Sequence, residues 1–332
     1  MVCYYIYKKE DLEENMPDFT THYLFGEYIK EKVDNKIKYK IDAYPQEFNW
    51  GLQGPDFLFY SKFYRDTGKT ARCGSALHRV DPELLFSAIS EYLIESQSEE
   101  CYPQLLSYFY GFICHYILDS TIHPYVYYLI YEIDEQILKS HHILIENEIG
   151  SLMLKHMGRS INDFELSDYY EPNGNFVDPI ANLYVFLIKK LFDKTVNERE
   201  IKSGFSICLT VNRLAYLLQR SDYDSKAKQA LIQSAMTLVK KSELLSSFIK
   251  KDHITRDTLN LKHKEWFNIN YPDDIFTYTI PDLFENARKE VLNVYDKCNE
   301  MLKSKNYTSF GFYKTFDYGE PIESREKLKD RA

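Results

Sequence analysis

Three side chains that could bind a metal recur at four-residue intervals within one apolar stretch: His115, Asp119 and His123. On an α-helix four residues advance about 400°, so the three would form a stripe that drifts only about 40° per step. Because the neighbouring residues are apolar, the stripe must face the core or a lined cavity. An ionised aspartate there is costly unless it is paired or bound to metal. The spacing therefore predicts either a metal site or a buried His-Asp-His network without metal.

A second pair, His142 and Glu146, has the same spacing in the next candidate helix. A histidine and a glutamate four residues apart lie on one helix face and can present two ligands to one ion. A solvated surface pair is the plainer alternative. The neighbouring His141 is followed four residues later by Ile145, which makes His142 the better ligand candidate.

Three further candidates lie upstream: His22, Asp56 directly after a Gly-Pro pair, and His78 three residues before an Asp-Pro pair. Each alone has a plain explanation, namely a core histidine, a turn aspartate and a loop histidine before a helix. Together the candidates provide five imidazoles, three carboxylates and no thiolate, which is typical of a multinuclear catalytic zinc centre. The full set is His22, Asp56, His78, His115, Asp119, His123, His142 and Glu146.

Long helices are predicted to position these residues. There is no glycine between Gly204 and Gly311 and no proline between Pro179 and Pro272, as long packed helices require. Pro124 is expected to bend or end the second predicted helix. Caps and apolar periodicity predict helices at 82–96, 104–122, 132–156, 179–194, 205–220, 226–246 and 281–303. We predict an all-α fold: a multi-helix bundle around a multinuclear zinc cleft, with additional C-terminal helices.

The rest of the chain carries weaker signals. Residues 35–70, rich in Gly, Pro, Asp and aromatic residues, are predicted to form an ordered loop. Strand signals at 175–177 and 276–279 are too short to predict a sheet. The charged tail at 324–332 is expected to be frayed. We predict a metal-binding core at 1–160 and additional helices at 161–332 that pack on it, in one continuous domain, with a surface available for self-association.

Composition excludes several classes of protein. With 50 acidic and 41 basic residues among 332, the formal charge is −9, which argues against nucleic-acid binding through bulk electrostatics. Six scattered cysteines without a Cys-x-x-Cys pair favour a reduced, cytoplasmic protein. No secretory signal is recognised. The most apolar stretch, 109–118, is too short to cross a bilayer, so no transmembrane helix is predicted.

The ordered ligands, with the Gly-Pro-Asp and His-x3-Asp motifs, make residues 16–150 resemble the zinc-dependent phospholipase C family. That resemblance implies an all-helical bundle around a three-zinc cleft. It implies a first site of Asp56, His78, His115 and Asp119, a second of His123, His142 and Glu146, and a third of His22 with Asp119 as the bridging carboxylate.

The sequence departs from the secreted members in three ways. Their mature N-terminal Trp binds the third zinc, whereas this sequence starts with Met1, so the third site could be weakened, empty or completed by a residue such as Asp18. Two or three zinc ions are therefore expected. The four-residue step from Asp119 to His123, six in secreted members, is similar to a non-secreted bacterial branch. The membrane-binding β-sandwich of toxin members has no counterpart in the helical pattern of 151–332.

The resemblance implies a zinc-dependent phosphoester hydrolase, in which a metal-bridged hydroxide attacks a phosphodiester such as a phospholipid head group. A soluble phosphodiester or phosphomonoester is an equally open substrate. Asp56 is the candidate general base or water-orienting group, in addition to its role as a zinc ligand. Four aromatic residues are weaker candidates for the substrate pocket: Trp50, Phe57, Tyr60 and Tyr125.

Two alternative functions remain open. A tri-zinc nuclease-like phosphodiesterase shares the ligand order, but by resemblance it ends its last motif with Asp where this chain has Glu146, and the negative charge disfavours it. A non-catalytic helical protein with structural zinc would show four protein ligands on each ion. An HD-type phosphohydrolase is disfavoured because no His-Asp dipeptide occurs in the sequence.

Overall fold

The computed structural model describes residues 18–63, 69–133, 138–162, 164–171, 173–219, 249–250, 253–316 and 319. Helices dominate this part of the chain, which confirms the all-α prediction. The α-helices are α1 (Phe19–Lys30), α2 (Asn35–Ala43), α3 (Pro45–Gly51), α4 (Lys69–Arg79), α5 (Pro82–Glu95), α6 (Tyr102–Ile133), α7 (Leu138–His156), α8 (Val177–Phe192), α9 (Glu198–Gln219) and α10 (Ile280–Ser304). Short 3₁₀ helices lie at Asp56–Phe63, Ser96–Ser98 and Leu166–Asp168.

Helix α6 is the centre of the bundle. It is apolar around most of its circumference, so it is stable only when surrounded, and α1, α3, α7 and α10 all pack against it. Pro124 lies inside this helix, which continues to Ile133, so the predicted end near residue 122 is wrong. Proline removes one N–H and crowds the carbonyl of Ser120, one turn earlier. The residues beyond it, such as Val126 and Ile130, are buried, so tertiary packing keeps the last turns helical.

The predicted loop at 35–70 was wrong, because most of it forms short helices. Asp34 caps α2 by accepting a hydrogen bond from the Lys36 N–H, and Pro45 occupies the first turn of α3. The Gly54-Pro55 pair separates α3 from the 3₁₀ helix that begins at Asp56. Proline and glycine therefore lie at helix boundaries here, and the apolar runs between them are long enough for one or two turns.

A small hairpin was not predicted. Strand β1 (Trp266–Asn268) pairs antiparallel with β2 (Tyr271–Phe276), and Trp266 is opposite Phe276. The weak strand signal at 276–279 coincides only with the end of β2. The hairpin packs on α6 through aromatic contacts, with ring centroids of Trp266 and Tyr125 5.1 Å apart. This packing supplies the stability that an isolated two-stranded hairpin lacks.

One hydrophobic cluster runs through the described part of the chain, from Phe19 to Phe316. It includes residues on both sides of position 160, and the division into 1–160 and 161–332 stays a prediction. The helix predicted at 226–246 and the tail at 324–332 lie outside the described residues. None of the described helices has the length and apolarity needed to span a membrane.

Candidate metal centre

The eight candidate ligands converge in the interior of the bundle, although they come from four helices and a 3₁₀ turn. They form three groups, within each of which one ligand atom per residue lies within 4.8 Å of the others. The first group is Asp56, His78 and His115, the second is His123, His142 and Glu146, and the third is His22, His115 and Asp119. His115 belongs to both the first and the third group, so these two groups lie side by side.

In the first group a carboxylate lies between two imidazoles. His78 Nε2 is 2.9 Å from one oxygen of Asp56, and His115 Nδ1 is 3.9 Å from the other. His78 lies at the end of α4, and its Nδ1 is 2.9 Å from the carbonyl oxygen of Gly74. A carbonyl oxygen can only accept, so Nδ1 carries a proton, and Nε2 is the nitrogen that faces Asp56 and could bind a metal there.

The turn before Asp56 fits closely against His115. Gly54 has a φ of +47°, and a Cβ added there would lie 2.1 Å from the His115 ring. The hydroxyls of Tyr108 and Tyr184 both donate to the Gly54 carbonyl oxygen, at 3.1 and 2.8 Å. Glycine is therefore required at this position, and the turn holds Asp56 beside His115.

The second group joins α6 to α7. One oxygen of Glu146 lies 3.2 Å from His123 Nε2 and 3.0 Å from His142 Nε2. His142 and Glu146 are buried, so the alternative of a solvated surface pair is wrong. The other nitrogen of His123, Nδ1, lies 2.9 Å from the carbonyl oxygen of Phe316.

The third group centres on Asp119, whose two oxygens face different histidines. His22 Nε2 is 3.2 Å from one oxygen and His115 Nε2 is 3.3 Å from the other. Asp18, named from the sequence as a candidate substitute ligand, is instead paired with Lys250, whose Nζ lies 3.0 and 3.2 Å from its two oxygens. Asp119 is thus shared by two histidines, whereas Asp18 is the ion-pair partner of Lys250; the bridging role of Asp119 stays a prediction.

Several of these buried atoms make no hydrogen bond among the described residues, although some lie within ion-pair distance of a neighbouring ligand. They are both oxygens of Asp56, both ring nitrogens of His115, Nδ1 of His22 and of His142, and one oxygen of Glu146. Buried polar groups without partners are rare, because each one costs its desolvation free energy. A self-sufficient His-Asp network would align these contacts as hydrogen bonds. The arrangement therefore favours metal binding over the metal-free network.

The spacing between ligand atoms also suits zinc. Two tetrahedral ligands at about 2.1 Å from one zinc ion lie roughly 3.4 Å apart. The Nε2-to-oxygen distances in the second and third groups are between 3.0 and 3.3 Å. Imidazole and carboxylate are zinc ligands, and no cysteine occurs in the three groups. The residues present fit this metal.

Charge in the metal-free centre is set by burial and by the carboxylates. Burial lowers the pKa of His115 to about 4, against the opposing carboxylates of Asp119 and Asp56, so its imidazole is neutral at pH 7. Burial also acts to lower the pKa of His123, but the carboxylates of Asp119 and Glu146 and the Phe316 carbonyl raise it to about 10. Zinc must therefore displace a proton from His123, whereas His115 can bind directly.

The two carboxylates behave in the opposite way. Burial alone would raise the pKa of Glu146, but His142 and His123 hold it well below its usual range. The pKa of Asp119 is lowered in the same way, against burial, by His115, His123 and His22. Both side chains are therefore charged near neutral pH and available as ligands.

A small cleft, with a cavity volume of about 20 Å³, opens onto the second and third groups between α1, α6 and α7. Its polar side is formed by ligands such as His22, Asp119 and Glu146, and its apolar side by Leu118 and Ile122. The remaining lining residues are Asp18, Thr21, His123, Val126 and Ile149. The cleft therefore pairs an ionisable side with an apolar side.

The four aromatic residues predicted to line a substrate pocket lie elsewhere. Trp50, Phe57 and Tyr60 are fully buried in the aromatic core, where Phe57 stacks on Phe205 with ring centroids 4.1 Å apart. Tyr125 packs against the hairpin. None of the four is among the residues that line the described cleft. Their burial makes them core residues, and the catalytic role of Asp56 stays a prediction.

Sequence reasoning missed two residues at the centre, Phe316 and Lys250. Phe316 is fully buried, and its carbonyl meets a histidine 193 positions earlier in the chain. Lys250 reaches back to Asp18 over 232 positions. No local spacing connects residues so far apart, so the sequence contained no signal for either contact.

Comparison with known proteins agrees with this geometry. A family model described as zinc dependent phospholipase C matches residues 21–200. The matched region contains all eight candidate ligands and ends before the hairpin and α10. No curated protein and no solved structure matches the chain.

Proposed function

The chain belongs to the zinc-dependent phospholipase C family, and on that premise we propose that it hydrolyses a phospholipid-type phosphodiester in the cleft between α1, α6 and α7. Members of this family are zinc-dependent hydrolases, and the buried triads are consistent with a multinuclear zinc site. The observation that carries the proposal is the set of buried ligand atoms without hydrogen bonds beside one cleft.

Each group of residues has a distinct role in the proposed reaction. The residues that would hold zinc are those of the three groups, with His115 common to the first and third and Asp119 facing both His22 and His115. Zinc, when bound, supplies Lewis acidity that stabilises charge on phosphoryl oxygens and lowers the pKa of a water ligand. Asp56 has two oxygens without hydrogen-bond partners, so it can orient a water or accept its proton.

The apolar wall of the cleft would exclude water and contact the leaving alcohol. Leu118, Ile122 and Val126 lie along one side of α6 and exclude water from that side. They suit the glycerol or acyl part of the leaving alcohol, while the polar side suits the phosphate. Hydrolysis by one water molecule would break a P–O bond and give the alcohol and a phosphomonoester.

The second group supports a catalytic rather than a structural zinc. It consists of three protein ligands, two of which, His123 and Glu146, line the cleft. Structural zinc sites have four protein ligands, whereas catalytic sites keep a position open for water or substrate. This arrangement favours the enzyme over the alternative of a non-catalytic protein with structural zinc.

We also place the chain in the non-secreted bacterial branch of the family and in the cytoplasm. The four-residue step from Asp119 to His123 supports the branch. All five cysteines among the described residues are free, as expected in a reducing compartment.

Zinc analysis and hydrolysis assays on matched variants test the function. The purified protein should contain at least two zinc ions and hydrolyse p-nitrophenyl phosphorylcholine and phosphatidylcholine. His115→Ala, which removes a ligand of two groups, should lower the zinc content and the activity, while His156→Ala, at an exposed position, should leave both unchanged. Less than one zinc per chain together with no phosphoester hydrolysis would overturn the proposal.

A further inference from the structure

A segment beyond the matched region lies directly against the metal centre. Phe316 is fully buried, and its ring centroid is 5.4 Å from that of His78 and 6.0 Å from that of His115. Its carbonyl oxygen is 2.9 Å from His123 Nδ1. One residue therefore contacts histidines of all three groups, since His115 belongs to two of them.

This segment is fixed to α6 by several contacts. The Tyr116 hydroxyl donates to the Lys314 carbonyl oxygen at 2.8 Å, and the Tyr116 ring lies 4.7 Å from that of Phe316. Gly319 packs against the carbonyl of Ser120, where a Cβ would approach the oxygen to 2.1 Å. That carbonyl loses its normal helical partner because Pro124 has no N–H. The chain that carries Phe316 therefore packs on α6 at the turn that contains Pro124.

The contact with His123 determines which of its nitrogens can bind metal. An imidazole ligates through a nitrogen lone pair, and the hydrogen bond of the other nitrogen sets the tautomer. A carbonyl oxygen can only accept, so Nδ1 must carry the proton and Nε2 is left to face Glu146. His78 obtains the same restraint from Gly74 in its own helix, whereas His123 obtains it from a distant segment.

We propose that Phe316 is a positioning residue of the metal centre. Its carbonyl holds His123 with Nε2 toward the second group, and its ring anchors that carbonyl against His78, His115 and Tyr116. This role rests on the proposed zinc centre and extends it to a part of the chain that the family model does not cover.

The first test needs no variant. Nitrogen-15 NMR of histidine-labelled, zinc-loaded protein should show His123 with a protonated Nδ1 in slow exchange with water and a metal-bound Nε2. The resonances are assigned by their loss in His123→Asn. A zinc-loaded His123 bound through Nδ1, or one with a rapidly exchanging Nδ1 proton, would overturn the proposal.

The second test separates positioning from general packing. Phe316→Ala should weaken binding of one zinc by about 10- to 100-fold in competition with a chelator. Phe316→Leu, which keeps a bulky apolar anchor, should restore most of the affinity. Phe310→Ala is the matched control, because Phe310 is also buried in this segment but packs on Phe86, Phe109 and Phe312.

The outcomes are distinguishable. Both alanine variants should melt at lower temperature than the wild type, but only Phe316→Ala should lose zinc affinity and the protected Nδ1 proton. Equal loss of zinc affinity in the two alanine variants, or none in either, would overturn the positioning role. Absence of zinc from the wild-type protein would instead overturn the proposed function on which this role depends.

Discussion

Residues 21–200, which match the family model, and the described residues from 249 onward contact the same metal centre in different ways. The first region supplies every candidate ligand, mostly at short and regular spacings within helices. The second supplies contacts to the ligands and to the cleft: Phe316 to His123, and Lys250 to Asp18. The candidate ligands therefore all lie within the matched region. The contacts that fix the orientation of a ligand such as His123 also involve residues far away in the sequence.

The comparison predicts that changes in the two regions have different consequences. Substitution of a candidate ligand should remove bound zinc and activity. Substitution of a residue from 249 onward should first lower the stability of the fold or its affinity for zinc.

Asp119→Asn should have the largest effect, because Asp119 is the carboxylate shared between His22 and His115. The amide has one acceptor oxygen and no charge, so it cannot serve two metal ions. We expect the zinc content to fall and the rate of phosphoester hydrolysis to drop about 1,000-fold. Asp296→Asn, on α10, is a control of the same chemistry outside the three metal groups. Activity within about tenfold of the wild type would contradict the shared role of Asp119.

Lys250→Met should act on stability rather than on metal content. The ammonium group of Lys250 and the carboxylate of Asp18 are both about nine-tenths buried, so removing one leaves the other charge buried and unpaired. The free energy of unfolding should fall by about 3 kcal/mol, while zinc stoichiometry stays unchanged.

The matched control for that variant is Lys190→Met, which removes a solvent-exposed ion pair with Glu91. Exposed pairs contribute less than about 1 kcal/mol, so urea unfolding should barely change. If Lys250→Met lost zinc but kept the stability of the wild type, the C-terminal region would contribute to zinc binding and not only to the stability of the fold.

The pH dependence of stability should differ between the metal-free and the zinc-loaded protein. In the metal-free fold the pKa of His123 is about 10, above its value of about 6.5 in an unfolded chain. Its stabilising contribution is therefore complete below about pH 6.5 and is lost as the pH rises toward 10. The pKa of His115 is lowered to about 4, so its contribution is lost as the pH falls from about 6.5 toward 4.

Urea unfolding across the pH range would measure both effects. In chelator-treated protein we expect the highest midpoint near pH 6.5, with a decline on either side. Zinc should remove the decline between pH 6.5 and 9, because a bound His123 carries no Nε2 proton. An identical decline in both forms would mean that zinc does not bind His123.

The sequence indicated residues that the structure brings together, because their signal is local; their role as metal ligands stays a prediction. A four-residue interval on a helix fixes a common face whatever the rest of the fold does, as with His115, Asp119 and His123. The histidine and glutamate of α7 followed from the same rule. Short-range reasoning also located most helices, although Pro124 proved compatible with α6 because neighbouring helices surround that helix.

Other features could not be predicted because they depend on packing. Residues 35–70 were interpreted as a loop from their glycine and proline content, but those residues mark the ends of short helices. Trp50 and Phe57 were considered for substrate contacts because aromatic residues suit both a pocket and a core, and only the structure shows that they are in the core. The contact between Phe316 and His123 spans 193 positions and leaves no pattern in either segment.

The most direct test of the account is anomalous diffraction at the zinc edge from crystals of the purified protein. We expect at least two anomalous peaks, one bound by His123, His142 and Glu146 with an open position toward the cleft, and one at Asp56, His78 and His115. A crystal with no peak at these groups, or with each ion closed by four protein ligands, would contradict a catalytic zinc centre.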